Sequence, residues 1–225
     1  MYKKRLSTCD ILILLNVIYF LIMTLAGGTQ NSEILLKFGA MFKPYVIVHG
    51  EFIRFFIAMF IHIGFLHLFM NMFVIKTVGP DFESIFGSRN FAIIYILSGL
   101  MGNMFTFAFG SVRSISAGAS TSIYGIMGVV LGLLFLYKDE FHIKNFAKQY
   151  VPYIVINLLY SFSDPRVSVL GHIGGLIGGF LMTGIFDVPY HTLPKRTKYI
   201  FAATYVLLGM IFIGAGYFTA FYIGY

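Results

Sequence analysis

Long apolar runs recur down the chain, each closed by a short polar or glycine-bearing stretch. They are continuous rather than alternating, and most approach the ~20 residues that a helix needs to cross a bilayer. They predict spans at 11–27, 57–79, 91–110, 119–137, 149–162, 167–187 and 199–222. Polar breaks predict a short turn at 80–90, charged loops at 138–148 and 189–198, and a turn at Ser163-Asp164-Pro165-Arg166. Pro165 has no amide proton and restricts Asp164, so a helix is expected to stop there. The stretch 28–56 mixes charged and apolar residues too evenly for a span or a free loop. It predicts a structured segment lying in the membrane interface. The first run follows Lys3, Lys4 and Arg5, as a signal peptide would. Leu25-Ala26-Gly27 is a poor cleavage site, so a retained first helix is expected.

Composition agrees with this pattern. Hydrophobic residues make up 58% of the 225, charged residues 11%, and mean hydropathy is +0.84. A water-soluble globule needs more charged surface, so the chain reads as one all-α, polytopic membrane domain with the lipid bilayer as partner. Cys9 is the single cysteine and excludes an internal disulfide. The net charge of +7 sits in small loop clusters. It reads as orientation signal and headgroup contact, not as a nucleic-acid surface. With the N-terminus inside, the seven spans place 11 of the 16 basic residues on the inner side. That bias predicts a cytoplasmic N-terminus.

The same parity puts four polar side chains in the outer half of three spans. Ser120 opens the fourth span, His172 opens the sixth, and His67 and Asn71 lie on the second. Such groups at membrane depth are functional candidates. Gly125, Gly128 and Gly132 form one helical stripe, and Gly171, Gly175 and Gly179 another. Small residues at this spacing let membrane helices meet backbone to backbone, which would bring Ser120 and His172 together. A tight helix pair with an incidental serine and histidine is the plainer alternative. A serine beside a histidine suggests a nucleophile and its general base. No acidic residue lies in these two spans apart from terminal Asp187, so the pair would act as a dyad. His67 and Asn71, four apart, share a face and both carry donors for a developing oxyanion. The plainer reading of each is a polar tether to a neighbouring helix. His62, five residues before His67, would lie about 140° round the same helix and reads as a structural histidine. Tyr124, one turn below Ser120, could stack on His172 or simply fill space. The segment is not the G-x-S-x-G elbow of soluble hydrolases, because Ser122 stands at the fifth position.

Together, Gly118-Ala119-Ser120, Tyr124, His172 with Gly175 and Gly179, and His67-x-x-x-Asn71 resemble the rhomboid intramembrane serine proteases. Glu51-Phe52-Ile53-Arg54 and Gly79-Pro80-Asp81-Phe82-Glu83 with Gly87 extend the resemblance over about residues 50–187. It implies a rhomboid-like six-helix transmembrane bundle at 11–187 around a wet cavity open to the outer side. The N-terminal 1–10 would be cytoplasmic, and 188–225 would form a loop and one extra C-terminal transmembrane helix, as in some bacterial members. It implies Ser120 as nucleophile and His172 as base. His67, Asn71 and the Ser120 amide would form the oxyanion site, with Gly118 and Tyr124 in support. Substrates would be single-span transmembrane proteins, and neither metal nor other cofactor is called for. A bacterial plasma membrane is the expected setting. The family also suggests the fifth span as a mobile gate.

Two positions depart from the family pattern. Thr121 stands where glycine usually follows the nucleophile, and its β-branch stiffens that turn. Ile53 stands where tryptophan usually precedes the arginine. Neither removes a catalytic atom. Two rivals remain: a transporter using the histidines and serine for a metal ion or protons, and a non-catalytic protein that binds membrane helices.

Overall fold

The computed structural model describes residues 6–163 and 168–223. The chain is an integral membrane protein whose described residues are helices and connectors, with two isolated β-bridges. In order they are α1 (Thr8–Leu25), α2 (Ser32–Lys37), α3 (Lys43–His49), α4 (Arg54–Ile57), α5 (Phe65–Phe109), α6 (Ser120–Leu136), α7 (Phe141–Lys148), α8 (Val151–Ser163), α9 (Val169–Thr183) and α10 (Lys195–Ile223). Among the described residues three helices are long and apolar enough to cross a membrane: Thr8–Leu25, Phe65–Phe109 and Lys195–Tyr222. Ser120–Leu136 and Val169–Thr183 are shorter and apolar.

Several boundaries differ from the hydropathy reading. The second span does not start at 57. Residues 54–60 are α4 followed by a 3-10 turn, Ile61 is extended, and Gly64 turns the chain at φ +83° before α5 begins at Phe65. Hydropathy could not see this break because the residues on both sides are equally apolar. His62 therefore precedes the helix that carries His67, and the angle expected between them does not apply. The turn expected at 80–90 is also helical. Pro80 lies inside α5, and the direction changes only at Gly87, whose φ of +76° suits a residue without Cβ. The charged segment 138–148 contains α7, and α10 starts at Lys195, before 199. Of the turn expected at Ser163-Asp164-Pro165-Arg166, residues 164–166 lie outside the described residues.

The Glu83 carboxylate explains how α1 docks. It accepts the amides of Thr8 (2.8 Å) and Cys9 (3.1 Å) and the Ser88 hydroxyl (2.6 Å). Helix starts leave such amides unpaired, so α5 supplies a cap that α1 only partly provides through Ser7. The segment 28–56 folds into three short helices, pinned by Arg54. That buried guanidinium donates to Glu51 (2.6 Å) and to the Ala40 carbonyl (2.8 Å), and sits 4.6 Å from the Tyr45 ring centre. Between α9 and α10, Asp187 accepts from the Leu193 amide and from Lys198. The lysine beside it holds the Asp187 carboxyl below the usual carboxylate range.

The core lies where α6, α9 and the second leg of α5 meet. α6 and α9 run parallel, with glycine gaps setting the separation. A Cβ on Gly179 would fall 1.7 Å from the Gly125 carbonyl oxygen, and one on Gly175 would fall 2.1 Å from that of Thr121. Gly128 meets the Leu176 carbonyl, and Gly132 meets Thr183. Gly125 lies between two helices. Its backbone meets Gly179 of α9, while a Cβ on it would fall 2.1 Å from Ser98 Cβ of α5.

Candidate active site

Ser120 is the first residue of α6, and His172 lies in the first turn of α9. Because the helices are parallel and in tight register, both side chains sit at the same end of the bundle. The Tyr124 ring stacks on the His172 imidazole, with centres 3.8 Å apart and planes 9° from parallel. His172 is 4% exposed, whereas Ser120 is half-buried. The imidazole bonds through Nδ1 to the Ser161 hydroxyl of α8 at 2.8 Å. Among the described residues no hydrogen bond joins Ser120 to His172. Such bonds are often long without substrate and tighten when it arrives.

The approach to Ser120 is built from outside α6. The 3-10 turn takes the Gly118 amide on the Ala58 carbonyl (2.9 Å). Met41 and Ser116 exchange backbone bonds of 2.8 and 3.0 Å, so the interfacial segment clamps the loop that delivers the serine. Gly118 has φ +140°, and a Cβ there would lie 2.8 Å from both Cε1 and Nε2 of His67. Glycine is needed for conformation and for room. The same virtual atom would lie 3.4 Å from Ser120 Oγ, so His67 Nε2 and Ser120 Oγ flank one small space. His67 Nδ1 accepts the Ile63 amide at 3.3 Å. That contact assigns the neutral ring's proton to Nε2, the nitrogen facing Gly118.

Asn71 is buried and spends one amide proton on the His67 carbonyl (2.9 Å), leaving a second. His62 is fully buried. Its Nε2 accepts the Ala119 amide at 3.4 Å, and its ring packs edge-on to His67 at 5.1 Å. It therefore braces the residue before Ser120. α6 has no side-chain cap, so the amides of its first turn, including that of Ser120, lack intrahelical partners. A helix start of this kind favours negative charge.

Thr121 occupies a pocket made for it. Cβ atoms added to Gly102 of α5 and Gly171 of α9 would both fall 2.9 Å from Thr121 atoms. Its hydroxyl turns to the Gly118 carbonyl (3.4 Å). The other departure, Ile53, is exposed at the start of α4. No group of three or more His, Cys, Asp or Glu that could hold a metal ion occurs among the described residues.

Sequence reasoning missed Ser161 and the Met41–Ser116 bridge. A serine inside an apolar helix normally bonds back to its own turn, and Ser161 does so as well, to the Asn157 carbonyl (2.9 Å). Nothing in its spacing marks which helix it faces.

The Rhomboid domain family model matches residues 49–187. The rhomboid protease GluP of Bacillus subtilis (strain 168) is 33% identical over 177 residues, 79% of this chain and 34% of that protein. The mitochondrial RHOMBOID-like protein 6 of Arabidopsis thaliana is 35% identical over 153 residues, 68% and 49% of the two chains. The Rhomboid-like protease 1 of Toxoplasma gondii is 25% identical over 197 residues, 84% and 67%. The chain spans about a third of the length of GluP.

Proposed function

The chain belongs to the rhomboid family, and from that premise we propose that it is an intramembrane serine endopeptidase working through Ser120 and His172. Its substrates are single-span membrane proteins, cut within or near the membrane segment. The observation that carries the reading is the Tyr124–His172 stack across the glycine-lined α6–α9 contact. It fixes the imidazole at the end of the bundle where Ser120 begins its helix. The six-helix core with a seventh, C-terminal span, a cytoplasmic N-terminus and an outward-facing site belong to the same proposal.

In this reading His172 Nε2 takes the Ser120 proton as Oγ attacks the scissile carbonyl carbon. The carbonyl oxygen becomes an oxyanion, held by His67 Nε2–H, the free Asn71 amide proton and the Ser120 amide. One such donor is worth about 3–4 kcal/mol in the transition state. The C–N bond then breaks, and the leaving amine takes the proton from the imidazolium. Water attacks the acyl-serine, giving its proton to His172, and the ester bond to Oγ breaks. Ser120 recovers its proton, and the new C-terminal carboxylate leaves. A substrate helix must unwind to present its carbonyl, since helical backbone is already paired. Glycine near the cut lowers that cost.

The test is cleavage of a single-span substrate in liposomes by the wild type, Ser120→Ala and His172→Ala. Both variants are expected to fold and to cut nothing. A fluorophosphonate or isocoumarin should label Ser120, chelators should change nothing, and cleavage surviving either substitution refutes the reading. A non-catalytic helix-binding protein would take no label.

A further inference from the structure

The geometry points to Ser161 as a positioning residue for His172, a neutral hydroxyl standing where a soluble serine protease has its aspartate. The inference rests on the Ser120–His172 reading above. Ser161 is 1% exposed, lies on α8, and approaches His172 Nδ1 to 2.8 Å. It is tied on two further sides. Its oxygen lies 2.5 Å from the Tyr124 hydroxyl and 2.9 Å from the Asn157 carbonyl, and the Tyr124 hydroxyl also reaches that carbonyl at 2.7 Å. The imidazole is thus held on its face by the Tyr124 ring and at its edge by a hydroxyl that the same tyrosine touches.

Counting protons selects the tautomer. Four short contacts join Nδ1, Ser161 Oγ, Tyr124 OH and the Asn157 carbonyl. If His172 carries its proton on Nδ1, three protons serve them: the imidazole donates to Ser161, Ser161 donates to Asn157, and Tyr124 donates to Ser161 Oγ or to the Asn157 carbonyl. If the proton is on Nε2, only two are left for four contacts. Ser161 and His172 are 1% and 4% exposed, so these contacts are closed to the water that would make up the difference. The network therefore favours Nδ1–H and leaves the Nε2 lone pair free to take the Ser120 proton. A partner on the far nitrogen commonly sets which nitrogen does the chemistry. When the ring becomes imidazolium, Nδ1–H keeps its acceptor. The hydroxyl has no charge to offer, so its contribution is orientation and tautomer rather than ion pairing.

Substitutions that differ in one group isolate this role. In the full-length chain, Ser161→Thr keeps a hydroxyl, while Ser161→Val has the same shape with a methyl in its place. Ser161→Ala removes the group altogether. With a single-span substrate, Thr is expected to stay within about threefold of wild type, whereas Val and Ala lose about tenfold in kcat with KM unchanged, the lower end of what losing the hydrogen-bond partner of a metal-bound histidine costs. The rate of fluorophosphonate labelling at Ser120 should follow kcat. Val matching Thr in both rates overturns the inference. A second measurement needs no variant at Ser161. Imidazole 15N shifts of the wild type, with His172 assigned by difference from His172→Ala, should show a protonated Nδ1. An Nε2-protonated ring overturns the assignment even if the variants misfold. The two readings fail differently. A wild type that neither cuts nor takes the probe refutes the protease, whereas one that does both, with Val equal to Thr, refutes only the role of Ser161.

Discussion

At the residue scale, Tyr124 combines two functions that substitution can separate. Its ring stacks on His172, and its hydroxyl bonds the Asn157 carbonyl and Ser161. Tyr124→Phe keeps the ring and deletes the hydroxyl. Hydrogen bonds between membrane helices average about 0.6 kcal/mol, which corresponds to about threefold. A loss of about threefold in kcat is therefore expected for Phe and a larger one for Tyr124→Ala, read by substrate cleavage. Equal losses would mean that the stack contributes nothing. This scale also shows what the sequence could reveal. Ser120, His172, His67 and Asn71 stood out because polar groups are scarce in apolar runs and their types suit one chemistry. Tyr124 followed from its four-residue offset. Ser161 did not stand out, because a serine that can satisfy itself within its helix gives no sign of a second partner. Hydropathy puts His62 on the helix of His67, whereas it precedes that helix, since Gly64 looks like any other glycine in an apolar run until its φ is known.

At the element scale, the α6–α9 contact was legible as glycine spacing, but its detail was not. The α6 glycines all meet α9, but Gly125 also lies against α5, where a Cβ on it would fall 2.1 Å from Ser98 Cβ. Periodicity shows which residues share a face, not which helix covers it. Thr121 is the instructive case. Read alone, it is an awkward replacement beside the nucleophile. In the structure it fills a notch that Gly102 and Gly171 leave open. The two features should therefore be coupled. Gly171→Ala places a methyl 2.9 Å from the Thr121 side chain and 3.1 Å from the Ser168 hydroxyl. Overpacking of this kind costs about 1–3 kcal/mol. Thr121→Gly should relieve part of that cost, so the double variant is expected to unfold at a higher temperature than Gly171→Ala alone. Thermal unfolding in detergent measures the cycle. Additive effects would show that the clash is relieved elsewhere.

At the scale of the whole molecule, the question is what α10 adds to the helices before it. Hydropathy revealed a last apolar helix, but not how it is attached. It docks on the second leg of α5 mainly through side chains, with Gly216 making room for the Phe107 ring, which a Cβ there would approach to 2.2 Å. Tyr205 donates to the Leu97 carbonyl at 2.8 Å, and Phe212 packs against Phe105 and Phe109 with centres 5.0 and 5.9 Å away. Near its end, Thr219 meets the ammonium of Lys43 at 3.2 Å, and Tyr217 meets Phe107. Lys43 is 4% exposed, and burial pushes its pKa below the ordinary lysine value. It also donates to the Ala108 carbonyl at 3.4 Å and stands 5.8 Å from the centre of the Phe107 ring. These tethers reach α5, the interfacial segment and, through Phe201 on Phe180 with centres 6.0 Å apart, the later turns of α9, while Ser120, His172 and Tyr124 lie at the starts of α6 and α9. A chain ending at Pro194 should therefore keep its reaction with the fluorophosphonate, within about threefold in rate, because none of the groups around Ser120 is removed. Its unfolding midpoint should fall, since each lost kcal/mol lowers the midpoint of a chain this size by about 2–4 °C. Lys43→Met in the intact chain separates the two contributions: it removes the buried charge and its bond to Thr219 while α10 stays in place. A midpoint at or above that of the wild type would mean that the lysine is held at a cost to stability. A truncated chain that unfolds like the intact protein yet no longer reacts at Ser120 would overturn this division, because α10 would then act on the site through α5.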